Sequence, residues 1–154
     1  MTHQRSNTFF DGKSSGVKHV KMDDPYCKNL RKILKENATK HRINFSKDSV
    51  YICSEGPRFE TKSEIKMMNF LGADVVGMTS VPEVVLAKEL GICYASVGFI
   101  VNMGTGIGNN PFFDKGIEEL MSKKRDKINK LFLEILSNPL DQKNCSCQYC
   151  NLSL

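Results

Sequence analysis

The sequence predicts an α/β fold, because short β-rich segments alternate along the chain with segments that have the apolar periodicity of amphipathic helices. Composition agrees, since 40% of the 154 residues are hydrophobic and 25% are charged, which is close to a typical globular domain. A chain of this length forms one domain and can bury a substantial core. We therefore expect a single α/β domain.

The first half of the chain contains two predicted strands and one predicted helix. A short strand is expected at 17–22, and Asp24-Pro25 then opens a helix, because Asp is a good N-cap and Pro is favoured at the first helical position. The apolar stripe of this helix is Leu30, Ile33, Leu34 and Ala38. A second strand is expected at 49–54, and Gly56-Pro57 then makes a turn.

The second half continues the alternation of helices and strands. The residues 93–101 are a long apolar run, which is typical of a strand that is buried on both faces. The other expected elements are a helix at 61–71 with Ile65, Met68 and Leu71 on one face and Gly72 as its end, a short strand at 75–76, a helix from Pro82 to Leu90 and a loop at 104–110. A last helix is expected at 114–136, with an apolar stripe of Ile117, Leu120, Ile128, Leu131 and Ile135.

The cysteines fall into two groups. Cys27, Cys53 and Cys93 are isolated in apolar or helical segments and are predicted to be small buried residues in a reducing compartment. The other three, Cys145, Cys147 and Cys150, lie in a polar segment that we expect to be a mobile tail from about Pro139. Three thiols without a nearby His are one ligand short of a structural zinc site, so no metal is expected. The chain is thus divided into a domain at 1–138 and a tail at 139–154.

Charge and hydropathy argue against two classes of partner. The formal net charge is +5, but the basic clusters at 28–35 and 123–130 lie on predicted helices and alternate with acidic residues, which favours a solvated face over nucleic-acid binding. No apolar run approaches the roughly 18 residues of a membrane span. The first residues lack the features of a secretory signal, so a cytoplasmic location is expected.

Unusual residues follow three of the predicted strands. Ligands of α/β proteins bind beyond the carboxyl ends of strands, and these ends carry Phe59 and Glu60, then Met78 and Thr79, and finally Asn102. Each also has a purely structural interpretation. Phe59 and Met78 could be core residues, Glu60 a first-turn charge, Thr79 an N-cap and Asn102 a turn residue.

Two long motifs favour a functional interpretation. EGPRFETKSEI at 55–65 and GADVVGMTSVPEVVLAKELGICYAS at 72–96, with TFFDG at 8–12 and DDPYCKNLR at 23–31, resemble the trimeric-type purine nucleoside and methylthioadenosine phosphorylases. The resemblance implies the C-terminal half of such a domain, with a mixed central sheet flanked by helices and incomplete at its N-terminus. It also implies a homo-oligomer, a trimer or a multiple of it, that needs no metal or organic cofactor and uses orthophosphate as co-substrate.

The resemblance also implies roles for the five residues. Asn102 matches the amide that contacts the purine base, and Glu60 matches the carboxylate that faces its Watson–Crick edge; these two are the expected catalytic residues. Phe59 matches the ring that stacks on the base, Met78 the residue that packs against the ribose, and Thr79 a phosphate-binding hydroxyl.

Glu60 further indicates the substrate class. A carboxylate only accepts hydrogen bonds, which suits the N1–H of a 6-oxopurine, whereas adenine has a lone pair at N1. Inosine, guanosine or methylthioinosine are therefore favoured over methylthioadenosine. The sequence departs from the family at Val101, where a Thr is usual, and at Asp114, which stands in place of a His that contacts the sugar.

Three alternatives stay open. The first is a methylthioadenosine phosphorylase, which differs mainly at these pocket positions. The second is a non-catalytic remnant that acts as a binding or subunit-interaction module. The third is a thiol-redox or metal module built on the tail cysteines. Because the resemblance places the glycine-rich phosphate loop upstream of the matched segment, the 154-residue chain alone is expected to be inactive.

Overall fold

The computed structural model describes residues 5–45, 48–108, 116–140 and 144–153. The predicted alternation of strands and helices is confirmed, and the fold is α/β. None of the described helices is long and apolar enough to cross a membrane. The elements are β1 (Lys18–Val20), α1 (Lys28–Lys40), β2 (Tyr51–Cys53), α2 (Lys62–Phe70), β3 (Val75–Gly77), α3 (Ser80–Glu89), α4 (Gly116–Leu136), a 3-10 turn (Cys147–Tyr149) and β4 (Asn151–Ser153).

A parallel pair of strands organises the middle of the chain. β2 and β3 pair with Tyr51 opposite Val75 and Cys53 opposite Gly77, and α2 connects them. The backbone N–H of Ser54 donates to the carbonyl of Gly77 at 2.9 Å and extends this pairing. Because the strands are parallel, the segments that follow them leave from the same edge.

The start of α2 is set by local hydrogen bonds. Thr61 is the N-cap, and its hydroxyl accepts from the backbone N–H of Glu64 at 3.2 Å, while the Glu64 carboxylate accepts from the Thr61 N–H at 2.6 Å. Arg58 donates to both oxygens of Glu64, at 2.9 and 2.7 Å. These bonds, with Arg58 contributing most, lower the pKa of Glu64 from 4.5 to about 2. The capping box therefore holds the segment just before α2 in place.

A buried hydrophobic cluster joins α1 to α4. Ala38, Leu131 and Ile135 are its buried members, which confirms these three residues of the predicted apolar stripes. The residues packed against this cluster are Ile33, Leu34, Ile43 and Phe45. The side chains of Ile117 and Leu120, which were also expected on the stripe of α4, lie outside the described residues.

The predicted start of α1 is wrong. The helix begins at Lys28 and its N-cap is Cys27, which has non-helical φ and ψ of −56° and 118°. The backbone N–H of Cys27 donates to the carbonyl of Tyr94 at 2.8 Å. This tertiary bond holds the preceding residues outside the helix, in spite of the favourable Asp24-Pro25 pair.

The predicted strand at 93–101 is also wrong, since the structure has no strand there. Phe99, Ile100 and Val101 are 38%, 61% and 40% exposed instead of buried on both faces. A strand requires a partner backbone. Within the described part of the chain, the bond from Cys27 to Tyr94 ties this segment to α1, and no strand of the two sheets pairs with it.

The expectation of a mobile tail is wrong for residues 144–153. β4 pairs antiparallel with β1, with Lys18 opposite Ser153, and the Lys21 N–H donates to the Cys150 carbonyl at 2.8 Å. A Cβ on Gly91 would lie 3.3 Å from the Cα of Gln148, so the tail backbone packs directly on the end of α3. The division of the chain at residue 138 stays a prediction.

Candidate active site

Glu60 lies at the edge of the sheet where β2 and β3 end. It is 8% exposed, and the Ser54 hydroxyl, also 8% exposed, donates a hydrogen bond to its Oε1. Ser54 directly follows β2, and the capping box of α2 positions the residues just after Glu60. The fold thus holds a carboxylate in a largely dry position, where an acceptor is strongly selective for donors.

Phe59 is adjacent to this carboxylate in the chain and is not a core residue. Half of its surface (51%) is exposed, so the structural interpretation of Phe59 as a core residue is wrong. An exposed aromatic ring beside a buried carboxylate can stack on a planar ligand.

Met78 reaches the loop that carries Glu60. A Cβ added to Gly56 would lie 2.7 Å from the Met78 Sδ, and Gly56 has a φ of +68°. Gly56 is therefore required both by its backbone conformation and by the close approach of Met78. Met78 itself is half-buried.

Thr79 stands at the N-terminus of the ten-residue helix α3, as predicted. It occupies the N-cap position, but its side chain makes no capping hydrogen bond and is exposed. The backbone N–H of Thr79 donates to the hydroxyl of Tyr51 at 3.4 Å. A hydroxyl at a helix N-terminus is in a location that favours an anion.

Asn102 is exposed, and its Nδ2 donates to the carbonyl of the neighbouring Met103 at 2.8 Å. The loop that follows it packs on α2, because a Cβ on Gly104 would lie 3.1 Å from Ile65 and one on Gly106 would lie 2.5 Å from Lys62. The structure therefore brings Phe59, Glu60, Met78 and Thr79 to one edge and attaches the loop of Asn102 to the helix that begins there. Asp114 lies outside the described residues, and Val101 is 40% exposed.

Sequence reasoning missed three supporting residues. Ser54 holds Glu60, and Arg5 donates to the Ser54 carbonyl at 3.3 Å while its Nε lies 3.6 Å from Glu55. Tyr26 hydrogen-bonds to Ser80 in the first turn of α3. Ser54 could have been found from the sequence, because it is a polar residue at the end of a predicted strand. Arg5 and Tyr26 could not, because each contacts residues that are far away in the sequence.

A second cluster of reactive groups lies near the start of α1. The thiols of Cys27, Cys93, Cys145 and Cys147 lie within 4.8 Å of one another, and the Sγ atoms of Cys93 and Cys145 are 3.2 Å apart. The tail supplies two thiols to this cluster, Cys145 and Cys147, and the fold adds Cys27 and Cys93, so a count of tail thiols alone does not decide whether four ligands meet. Cys150 has other partners: Lys88 donates to its Sγ at 3.5 Å, and this thiol donates to the Ser146 carbonyl at 3.1 Å.

Burial and mutual hydrogen bonds perturb these thiols. Burial, followed by the bond with Cys145, raises the pKa of Cys93, and the same two causes raise the pKa of Cys147 to about 12. Burial also acts to raise the pKa of Cys145, but hydrogen bonds from the Cys147 backbone N–H and the Cys93 thiol outweigh it and lower that pKa. The four sulfurs lie close enough together to ligate one soft cation in place of the thiol protons.

Comparison with known proteins places the chain in a family. Residues 1–137 match the phosphorylase superfamily. A "Probable 6-oxopurine nucleoside phosphorylase" of Dictyoglomus turgidum is 44% identical over 147 residues, which are 96% of this chain and 56% of that protein. The "6-oxopurine nucleoside phosphorylase" of Pyrococcus furiosus is 39% identical over 152 residues, which are 96% of this chain and 57% of that protein.

Other similar proteins carry related names. A "Probable S-methyl-5'-thioinosine phosphorylase" of Methanocaldococcus jannaschii is 42% identical over 147 residues and covers 96% of this chain and 57% of that protein. The crystal structure of a methylthioadenosine phosphorylase from an Antarctic soil metagenomic library superposes with a TM-score of 0.78 at 29% identity, over 96% of this chain and 52% of that one. The chain thus spans about half the length of the relatives it matches.

Proposed function

This chain belongs to the phosphorylase superfamily, and from that premise we propose that it supplies the base-recognising part of a purine nucleoside phosphorylase with a preference for 6-oxopurines. In this reaction orthophosphate attacks C1′ of the nucleoside, the glycosidic bond breaks, and the free base and ribose 1-phosphate form. The names of relatives that are 39–44% identical support the proposal. The proposal requires no metal or organic cofactor in the reaction.

The observation that carries the proposal is the buried carboxylate of Glu60. The Ser54 hydroxyl donates to Oε1, and we assign Oε2 as the acceptor for the N1–H of hypoxanthine or guanine. Adenine would set its N1 lone pair against this oxygen. Two facing acceptors in a buried site leave both groups without a donor, which costs about 1–3 kcal/mol for each.

The remaining residues act on the base, the sugar and the phosphate. Phe59 stacks on the purine, and the amide of Asn102 contacts its N7 and 6-oxo side. Negative charge develops on the departing base, so donors placed there stabilise the transition state more than the substrate. Met78 packs against the ribose, and Thr79 at the N-terminus of α3 binds phosphate.

The second candidate is a methylthioadenosine phosphorylase, because the structural match at TM-score 0.78 carries that name. Glu60 argues against adenine for the reason given above. A methylthioinosine substrate is compatible with Glu60 and agrees with the name of the Methanocaldococcus relative. The proposal further includes a cytoplasmic role in purine salvage and assembly into a homotrimer or a multiple of it, which rest on the resemblance.

A complementation assay tests the proposal. The chain is co-expressed with the part of the Dictyoglomus turgidum relative that it does not match, and inosine phosphorolysis is followed by chromatography of hypoxanthine. The positive control replaces this chain with the matching segment of the relative, and the chain alone is assayed beside them. Turnover by the pair but not by the chain alone is expected. An inactive pair beside an active control would overturn the proposal and favour a non-catalytic remnant.

The base preference is tested in the active pair. Glu60→Gln adds a donor at nearly the same shape, so the ratio of kcat/KM for inosine over adenosine should fall. Glu89→Gln is the matched control, because Glu89 is 2% exposed but lies at the other end of α3 and accepts from the Phe9 N–H at 2.8 Å. An unchanged ratio in Glu60→Gln would show that Glu60 does not select the base.

A further inference from the structure

The four-thiol cluster has the geometry of a single-ion site. In a tetrahedral Zn²⁺ site with Zn–S bonds of about 2.3 Å, the sulfurs lie about 3.8 Å from one another. The Sγ atoms of Cys27, Cys93, Cys145 and Cys147 all lie within 4.8 Å of one another, and the pair from Cys93 and Cys145 lies at 3.2 Å. Small side-chain adjustments would bring all six separations to the tetrahedral value.

We propose that Cys27, Cys93, Cys145 and Cys147 bind one Zn²⁺ ion as a structural tetrathiolate centre. Binding releases the four thiol protons to solvent and forms four Zn–S bonds with no change in oxidation state. Soft thiolates in a tetrahedral S₄ arrangement favour zinc among the common divalent ions. The four protein ligands close the coordination sphere, as in a structural rather than a catalytic zinc site.

The surroundings suit a tetrathiolate. Cys27 and Cys147 are buried, at 3% and 7% exposure, and Cys93 and Cys145 are half-buried. Cys27 is the N-cap of the thirteen-residue helix α1, where the helix dipole favours negative charge. The dipole of α1 thus partly compensates the net charge of the bound centre, which is two negative charges.

The ligands come from three distant parts of the chain, so the ion would fasten the tail to the domain. Cys27 precedes α1, Cys93 follows α3, and the other two lie in the segment that carries β4. The bond from the Cys27 N–H to the Tyr94 carbonyl already joins the first two parts. Two disulfides would require short sulfur–sulfur distances only within each bonded pair. A single metal ion requires all four sulfurs to lie together, and the structure places them together.

The first test measures metal content and coordination in the full 154-residue chain, purified with a phosphine reductant and without chelators. Elemental analysis should give about one zinc per chain. Titration of the metal-free chain with Co²⁺ should produce the intense visible bands and sulfur-to-metal charge-transfer absorption of a tetrahedral thiolate site. Zinc-free protein without these Co²⁺ bands would overturn the proposal, and so would a stoichiometric iron content.

The second test uses cysteine variants. Cys93→Ser and Cys147→Ser should reduce the bound zinc to background and abolish the Co²⁺ bands. Two matched controls should keep both: Cys53→Ser, which changes a buried cysteine of β2, and Cys150→Ser, which changes a buried cysteine of the same tail. Zinc retained in both ligand variants, or lost equally in the controls, would overturn the assignment.

A third measurement needs no variant. N-ethylmaleimide labelling of the unmodified chain, read by peptide mass spectrometry, should show the four ligand cysteines protected until a chelator is added, with little chelator effect on Cys53 of β2. Hydrogen exchange at 144–153 should speed up on chelation. Two disulfides among the four cysteines in the reduced, chelator-free protein, or labelling that ignores the chelator, would contradict a zinc centre.

Discussion

The bond between Ser54 and Glu60 provides the sharpest test of the site's structure. Ser54→Ala removes the hydroxyl that donates to Oε1 of Glu60, and both residues are 8% exposed, so water cannot easily replace it. A hydrogen bond to a charged group contributes about 1.5–3 kcal/mol. At roughly 2–4 °C per kcal/mol for a chain of this length, the melting temperature should fall by roughly 3–12 °C.

Urea unfolding of a double-mutant cycle isolates this interaction. In a Glu60→Gln background the acceptor is neutral, and since charge-assisted bonds are about twice as strong as neutral ones, Ser54→Ala should cost about half as much. Ser122→Ala is the control, because that exposed hydroxyl donates to the Glu119 carbonyl of its own helix at 2.9 Å; its cost should stay within about 0.5 kcal/mol. An equal cost of Ser54→Ala in both backgrounds would refute a charge-assisted bond.

Four further predictions concern the capping box, the tail and the amide. Thr61→Ala should lower the unfolding free energy by about 1 kcal/mol, because α2 loses its side-chain cap; unchanged urea unfolding would contradict this. The pKa of Glu64 is lowered from 4.5 to about 2, so the contribution of this carboxylate to stability is present above pH 4.5 and is lost as the pH falls towards 2. Glu64→Gln should therefore flatten the plot of unfolding free energy against pH in that window. An unaltered plot would show that the Glu64 carboxylate does not cause the pH dependence. Truncation after Leu140 should lower the melting temperature, because β1 loses its pairing with β4 and the burial of Cys147 is lost. Equal melting temperatures of the truncated and full chains would show that the tail does not contribute to stability. In the complemented enzyme, Asn102→Ala should lower kcat on the order of 100–1,000-fold; a raised KM at constant kcat would limit Asn102 to binding.

Local sequence patterns were sufficient for most helices and for the edge of the sheet. The helix expected at 61–71, its end at Gly72 and the apolar stripe of α1 depend on residues that are neighbours in the chain. The βαβ order of β2, α2 and β3 follows from the alternation of such patterns. Because parallel strands must end at one edge, the order of these elements along the chain is enough to place Glu60, Met78 and Thr79 together.

Long-range contacts were needed for the rest. The apolar composition of 93–101 predicts a strand, but a strand forms only where another backbone pairs with it, and none of the described strands does. The start of α1 moved to Lys28 because Cys27 bonds to Tyr94, 67 residues later (94 minus 27). The hydroxyl partner of Glu60 likewise became visible only in the folded chain.

The cysteines show most clearly the difference between what local sequence patterns predict and what long-range contacts determine. Spacing within the tail relates Cys145 to Cys147, but it contains no information about Cys27 or Cys93, which the fold brings within 4.8 Å of them. Short-range periodicity reports only on neighbours along the chain. Whether thiols that are up to 120 residues apart (147 minus 27) meet depends on the packing of α1, α3 and the β1–β4 pair, and packing is a property of the whole folded chain.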